Sequence, residues 1–250
     1  MKKNTIFLPF STLKKAGGRL LVSRTLNLFE AMMRNLELIK NEHAKPPGRL
    51  TILNEIIKKR GAKRYLEIGV RDPNANFNWV DCEFKDSVDP GLEFKTNPVK
   101  FKMTSDDFYQ YWESNGLSKY DVIFIDGLHL AEQVHRDVEN CLRMSAKNGV
   151  LVLHDCNPPA PEFARENYLE KDASLGYWNG TTWKAFCKYH SEGEFEARVI
   201  DSDWGVGIID KMKPKTPKDF QNPFFEWAVF ERLKAESDFL ISFNEFQKWF

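Results

Sequence analysis

Between Arg24 and His43 the apolar residues Leu26, Phe29, Met33, Leu36 and Ile39 recur at helical spacing with charges between them, a pattern that predicts a helix with one buried face. Pro46-Pro47-Gly48 stops it. A second amphipathic helix follows from about Leu50 to Arg60 and ends at Gly61, which readily adopts a left-handed C-terminal cap. The period then changes. Lys63 to Val70, Phe84 to Asp89, Val99 to Met103, Val122 to Asp126 and Gly149 to His154 are strand-length runs rich in β-branched or aromatic residues. Between the last two, Leu130, Val134, Val138, Cys141 and Leu142 share one helical face. Strands alternating with helices predict an α/β fold: parallel pairing by crossovers, a sheet covered on both faces, and ligands at the carboxyl ends of the strands.

Beyond Pro159 the segment from Ala160 to Trp183 is polar and aromatic and much longer than an ordinary connection, as lids and binding loops are. A helix from Thr181 to His190 and a hairpin, ARVIDSD into WGVGIID, come next. The tail from Pro223 carries Trp227, Phe230, Phe239, Phe243, Phe246 and Phe250 at roughly helical spacing, an aromatic stripe suited to core or to a subunit interface. These changes divide the chain into an N-terminal helical extension (1–48), a central domain (49–212) and an aromatic helical tail (213–250) packing on that domain. Either terminal helical part is a candidate surface for a homo-oligomer.

With 36 basic and 36 acidic side chains the formal charge is zero, so composition offers no footprint for nucleic acid or an anionic membrane. No apolar run approaches the roughly 20 residues of a membrane span. Pro9, Ser11, Thr12 and two lysines interrupt the short apolar piece of MKKNTIFLPFSTLKK, which reads as a flexible or docking N-terminus of a cytoplasmic protein. Cys82, Cys141, Cys156 and Cys187 form no CxxC pair, which argues against a zinc ribbon or a disulfide scaffold.

Chemistry-bearing residues gather at the ends of the apolar runs. VIFID closes on Asp126, with His129 three positions on, and GVLVLH closes on His154-Asp155. YLEIGV places Glu67 and Gly69 at the end of the first strand, where a glycine lets a ligand approach and a following helix N-terminus would add positive potential. Arg71-Asp72-Pro73-Asn74 stands where a dinucleotide fingerprint would carry further glycines, which disfavours a nicotinamide oxidoreductase. Asp89, about twenty residues on, is placed either to accept bonds from a ribose diol or to open the Pro90-Gly91 turn.

Together, LEIGV, VDP, FIDGLH and GVLVLHD resemble in order and spacing the motifs of class I S-adenosylmethionine-dependent methyltransferases, over about Leu50 to Asp210. The IDGxH and HD pair, with YWNGTTWKAF and DSDWGVGII later, resembles the small-molecule and sugar O-methyltransferases of polysaccharide and antibiotic pathways. The resemblance implies a Rossmann-like, mostly parallel seven-stranded sheet with a C-terminal antiparallel hairpin, helices on both faces and extra terminal helices. It implies S-adenosyl-L-methionine as cofactor, with Glu67, Ile68 and Gly69 against its methionine part, Asp89 on the ribose, Ser105 and Asp106 near the adenine, and Asp126 beside the reacting end. The glycine-rich first loop is reduced to one glycine, leaving Asn74 and Asn76 as candidates to replace its contacts.

Methyl transfer from a sulfonium is an in-line displacement that needs alignment, and a hydroxyl acceptor must also lose a proton to a base or near a metal. Asp126, His129, His154 and Asp155 supply both options. Each has a plainer alternative: Asp126 as a helix cap, His129 as a first-turn residue, His154 as a hydrogen-bonded core histidine. In metal-dependent members of the resembled family, acids at the ends of the fourth and fifth strands bind a divalent cation. Asp126 and Asp155 match them, but the usual Asp-Asn is here Asp155-Cys156-Asn157. Oxygen ligands suit magnesium, and an added histidine suits manganese or another transition ion. Tyr177 to Gly180 and Trp183 are candidates to close over a small-molecule or sugar acceptor. A non-catalytic cofactor-binding or assembly protein on the same fold is the competing reading; a nucleic-acid methyltransferase lacks a basic stripe.

Overall fold

The computed structural model describes residues 18–93, 96–169, 174–236 and 238–250, with backbone only over 18–25 and at 236; the segment 1–15, expected to be flexible or docking, lies outside the described residues. The first predicted helix runs as α1, Gly18–Ala44, and the second as α2, Arg49–Arg60, closed by Gly61 at φ 58°. The expected buried face of α1 holds only toward its C-terminal end, where Ile39, Asn35 and Glu42 are buried. Leu26, Phe29 and Met33 are more than half exposed, at 53%, 60% and 51%.

Seven strands form one sheet in the order β2-β1-β3-β4-β6-β5-β7. They are β1 Arg64–Ile68, β2 Phe84–Val88, β3 Tyr120–Ile125, β4 Ser145–Leu153, β5 Phe195–Ile200, β6 Val206–Pro214 and β7 Leu240–Ile241. Only β6 is antiparallel to its neighbours, so the other six strands end at one edge. Chain order reverses between β1 and β3, which opens the usual ligand crevice outside their carboxyl ends. Two expectations need correction here. The run Val99 to Met103 gives a single bridge, Phe101 to Val88, because its alternating lysines suit an edge and not a buried strand. The seventh strand is instead β7, from the tail. The connection from β1 to β2 contains no α-helix, only a 3-10 turn at Phe77–Trp79, so no helix dipole stands behind Gly69.

Both faces of the sheet are covered, and the period of two assigns each residue to one of them. Ile123, Ile125, Leu151 and Leu153 pack with α3 (Ser105–Ser114), α4 (Ala131–Met144) and α5 (Thr182–Glu192). Val122, Phe124, Val150 and Val152 pack on the other face with Ile52, Leu53 and Ile56 of α2. A strand buried on both faces must be apolar throughout, which is why VIFI and VLVL show no alternation. The aromatic tail is core: Phe230 of α6 (Trp227–Glu236) and Phe239 join the first layer, and Phe246 of α7 (Phe243–Trp249) joins the second. Among the described residues no helix is long and apolar enough to cross a membrane.

Candidate active site

Asp126 follows the last residue of β3, and its N–H donates to the Ile68 carbonyl of β1 (2.9 Å), which fixes it over the crevice. His154 and Asp155 follow β4. Successive residues of an extended strand point to opposite faces. Asp155 escapes that rule by taking a left-handed conformation, φ 59°, which turns its carboxylate to the same side as the His154 ring. His154 Nδ1 thereby lies 3.2 Å from Asp155 Oδ2 and 3.4 Å from Asp126 Oδ1. His129 completes the ring, with Nε2 3.2 Å from Asp126 Oδ1 and Nδ1 3.1 Å from Asp155 Oδ2. That Nδ1 contact is close but misaligned, so the nitrogen is buried without a hydrogen-bond partner. The four residues expected to carry the chemistry thus form one ring of contacts, in which His154 is also the buried, hydrogen-bonded histidine of its plainer alternative. Asp126 does not cap α4, since the first N–H of that helix, at Ala131, donates to Thr181 Oγ1 (2.8 Å).

Three further side chains hold this ring from outside. Arg49, at the start of α2, donates from Nη1 to Asp126 Oδ2 (2.8 Å) and from Nε to Asp203 Oδ2 (3.1 Å). Asn179 donates its amide to Asp155 Oδ1 (2.5 Å). Asp203 sits 3.4 Å from His154 Nε2 and also accepts the Arg49 backbone N–H (2.7 Å). The tight turn after β5 presents Asp203 and Trp204 in left-handed conformations, at φ 46° and 65°. Arg49 and Asp203 are functional candidates that sequence reasoning did not single out. Burial works against the charge on Arg49, but Asp126, Asp203 and Asp155 outweigh it and raise its pKa. Burial likewise disfavours ionised Asp126, yet His154, His129 and Arg49 hold its pKa well below the usual carboxylate range.

Of the lid candidates, Trp178 stacks on His129 with ring centroids 5.2 Å apart, while Tyr177 stacks on Trp204 and pairs with His43 of α1. Gly180 sits at φ 63° against the His129 carbonyl, where a Cβ would lie 2.2 Å from the oxygen. Trp183 does not belong to the lid. It is 3% exposed and packs against Phe225, Trp227 and Phe230 in the core.

The residues expected to meet the cofactor fall into two groups. Glu67, Ile68, Gly69 and Asn76 lie together at the end of β1, where Glu67 accepts bonds from Tyr65 (2.6 Å) and Asn76 (2.9 Å). Gly69 takes φ 90°, and a Cβ there would lie 2.1 Å from the Asp126 carbonyl oxygen, so the glycine lets the β1 and β3 ends meet. Asp89 accepts the Gly91 N–H (2.6 Å) and so does open the expected turn. Ser105 and Asp106 start α3 and face α4, through Gln133 (3.1 Å) and Arg136 (3.4 Å). A cavity of about 360 Å³ opens beside the β1 and β2 ends, lined by Arg71, Asn74, Phe77, Ser87 and Asn97 among others.

Comparison with known proteins places this geometry. The model of a family described as a methyltransferase domain matches residues 26–156, more than half of the chain. The chain belongs to that methyltransferase family. No curated protein matches the chain. Solved structures similar to the chain include an O-methyltransferase from Bacillus cereus in complex with SAH, at 15% identity, 72% coverage of this chain and 89% of that one, and a TM-score of 0.44. The O-methyltransferase TomG from Streptomyces achromogenes, in complex with SAM, aligns at 13% identity, 72% and 89% coverage, and a TM-score of 0.46. A methyltransferase from Podospora anserina aligns at 17% identity, 84% and 99% coverage, and a TM-score of 0.43.

One residue of this methyltransferase couples its stability to pH. Burial pushes the Glu67 carboxyl up to about 7, against the opposing bonds from Tyr65 and Asn76. Below the ordinary value of 4.5 the carboxyl is protonated whether the chain is folded or not. As pH rises from there to about 7, only the unfolded chain releases the proton, so stability falls. Glu67 is expected to contribute a loss of about 3 kcal/mol over that interval. Urea unfolding of the wild type and Glu67→Gln across the same range checks it: parallel curves would exclude the effect.

Proposed function

We propose that the protein transfers the methyl group of S-adenosylmethionine to a hydroxyl of a sugar or small natural product, as a cytoplasmic O-methyltransferase of polysaccharide or natural-product biosynthesis. The observation that carries this reading is the ring of Asp126, His129, Asp155 and His154 at the ends of the two central strands. The wall of Glu67, Ile68, Gly69 and Asn76, with Asp89 at the end of β2, stands on the cofactor side of the crevice. Transfer itself needs the sulfonium methyl and the acceptor oxygen held in line, which the walls and the Trp178 lid supply by position.

The acceptor proton goes to His129. Its ring is 17% exposed against 4% for His154, and Trp178 stacks on its face. Burial disfavours its protonated form, but Asp155 and Asp126 prevail and raise its pKa, which makes the imidazole a stronger base.

A divalent cation fits the ring. Asp126, Asp155 and Asp203 bring three carboxylates together with the Arg49 guanidinium and the imidazoles of His129 and His154, whose pKa values these carboxylates raise, so a cation would enter by displacing imidazole protons. Asp126 and Asp155 would be its oxygen ligands. Such an ion would lower the pKa of a bound hydroxyl and stabilise the alkoxide.

Calorimetric titration with S-adenosylmethionine and with its demethylated product tests the reading. Saturable binding of both is expected, and the absence of binding for both would refute it. Transfer of a labelled methyl group to pools of hydroxyl-bearing sugars and small natural products then identifies the acceptor.

A further inference from the structure

The balanced total charge conceals a segregated one. Residues 1–29 carry Lys2, Lys3, Lys14, Lys15, Arg19 and Arg24 and no aspartate or glutamate; the first acid is Glu30. The compensating acidic excess therefore lies wholly in the rest of the chain. Apolar residues run through the same basic stretch, as Ile6-Phe7-Leu8, Phe10, Leu13 and Leu20-Leu21-Val22. A segment that is both basic and rich in large apolar side chains combines the two attractions that bind a chain to the interface of an anionic bilayer. One is burial of apolar surface at the acyl boundary, and the other is the pull of acidic head groups on Lys and Arg.

Where the described side chains begin, the same apolar character is turned outward. Leu26, Leu28, Phe29 and Met33 are each more than half exposed, whereas further along α1 Asn35, Ile39 and Glu42 are buried against the body. Leu26, Phe29 and Met33 follow at intervals of three and four, so they form one stripe along the helix. Among the described residues that stripe stays open to solvent. Charge selects its occupant. A second copy seated on the stripe would bring two basic arms together, and like charges resist that pairing. A nucleic acid would satisfy the lysines and leave the apolar residues without a partner. An anionic lipid surface satisfies both.

We infer that the stretch from the basic arm through Met33 docks the protein on an anionic membrane surface, with the basic residues on the lipid head groups and the α1 stripe in the interface. Docking of this kind needs no spanning helix. α1 also connects the docked surface to the candidate active site. Arg34 donates to Glu162 (2.6 Å), and the His43 ring meets the Tyr177 hydroxyl (3.2 Å), so the helix that reaches the membrane holds the segment lying over the crevice. The inference stands on charge and exposure and does not depend on methyl transfer.

The test is co-sedimentation of the full chain with unilamellar vesicles of phosphatidylcholine alone and of phosphatidylcholine with about 30% phosphatidylserine, together with light scattering of the free protein. Binding to the anionic vesicles is expected to be at least about 10-fold tighter than to the neutral ones. It is expected to fall at least about 10-fold in about 0.5 M sodium chloride, where the screening length shrinks to a few ångströms. Phe29→Ser combined with Met33→Ser weakens anionic-vesicle binding by about 5-fold or more. Replacing Lys2, Lys3, Lys14 and Lys15 by glutamine removes the preference for phosphatidylserine. No binding to the anionic vesicles, equal binding to both kinds, or wild-type binding by the stripe double variant overturns the inference. A concentration-dependent dimer that fails to sediment with vesicles also overturns it and assigns the stripe to a second copy. The wild type compared across the two lipid compositions and two salt concentrations decides even if a variant fails to fold.

Discussion

Arg49→Met is expected to lower the free energy of unfolding by about 3 kcal/mol at neutral pH, near the low end of what removal of one partner from a buried ion pair costs. The low end applies because the Arg49 side chain keeps 30% of its surface exposed. Methionine preserves much of the volume, so the loss reports the charge and the forked hydrogen bonds. Without them Asp126 and Asp203 face each other's field with only the imidazoles to compensate. Arg49→Lys retains the charge but cannot span both carboxylates, so it recovers less than half of the loss. The pH dependence fixes the cause. Burial opposes ionised Asp203, but the His154 contact, the charges of His154 and Arg49, and the Arg49 backbone N–H depress its pKa, and Asp126 is depressed as well. Groups of that kind contribute stability above their unfolded pKa and lose it as pH falls through the folded value. The gap between wild type and Arg49→Met therefore closes in acid, where both carboxylates are protonated. Urea midpoints that coincide at neutral pH would show that Arg49 is not what holds the two strand ends and the β5–β6 turn together.

Most of the sheet could be read from the chain because β3 and β4 are buried on both faces and so are apolar without interruption. The same signal fails at the edges. Val99 to Met103 has strand composition, yet Lys100 and Lys102 leave it able to pair only at Phe101. Leu240–Ile241 is too short to register as a strand, and its place is set by the Val199 and Ile200 backbone, far from it in sequence. The stripe on α1 was legible, but a period shows which residues share a face and not whether anything covers them. At the site, IDGLH and LHD were visible because polar groups ended apolar runs. Arg49 and Asp203 were not, since each comes from a different connection and only the folded chain brings them to Asp126 and His154. The signals that existed were a charged residue directly after Pro46-Pro47-Gly48 and the Asp203-Trp204-Gly205 turn, both ordinary on their own. Asp155 shows the limit most clearly. No pattern announces a left-handed aspartate after a strand, and without it the side chain would point away from His154.

His129→Ala is expected to lower kcat for methylation of a hydroxyl acceptor by about 10²- to 10⁴-fold, the range a positioned general base contributes. Affinity for S-adenosylmethionine should stay within about three-fold, because the proposed cofactor wall is built from β1 and β2 and His129 stands outside it. A loss confined to kcat is what removal of an interaction made only in the transition state produces. Structural damage is a separate outcome with a separate sign. His129 accepts the Thr181 N–H through its backbone carbonyl (2.7 Å), and that bond survives truncation of the ring, so the α4–α5 junction should hold. His129→Gln keeps a polar side chain between Asp126 and Asp155 without an imidazole, and is expected to fold as well as the wild type while remaining as slow as His129→Ala. In Trp178→Ala the base remains but its cover is lost; the expected change is a raised KM for the acceptor with a smaller fall in kcat. If His129→Ala methylates the wild-type acceptor within about three-fold of the normal rate, the proton leaves by another route, and the half-buried imidazole under Trp178 serves only to hold the two carboxylates apart.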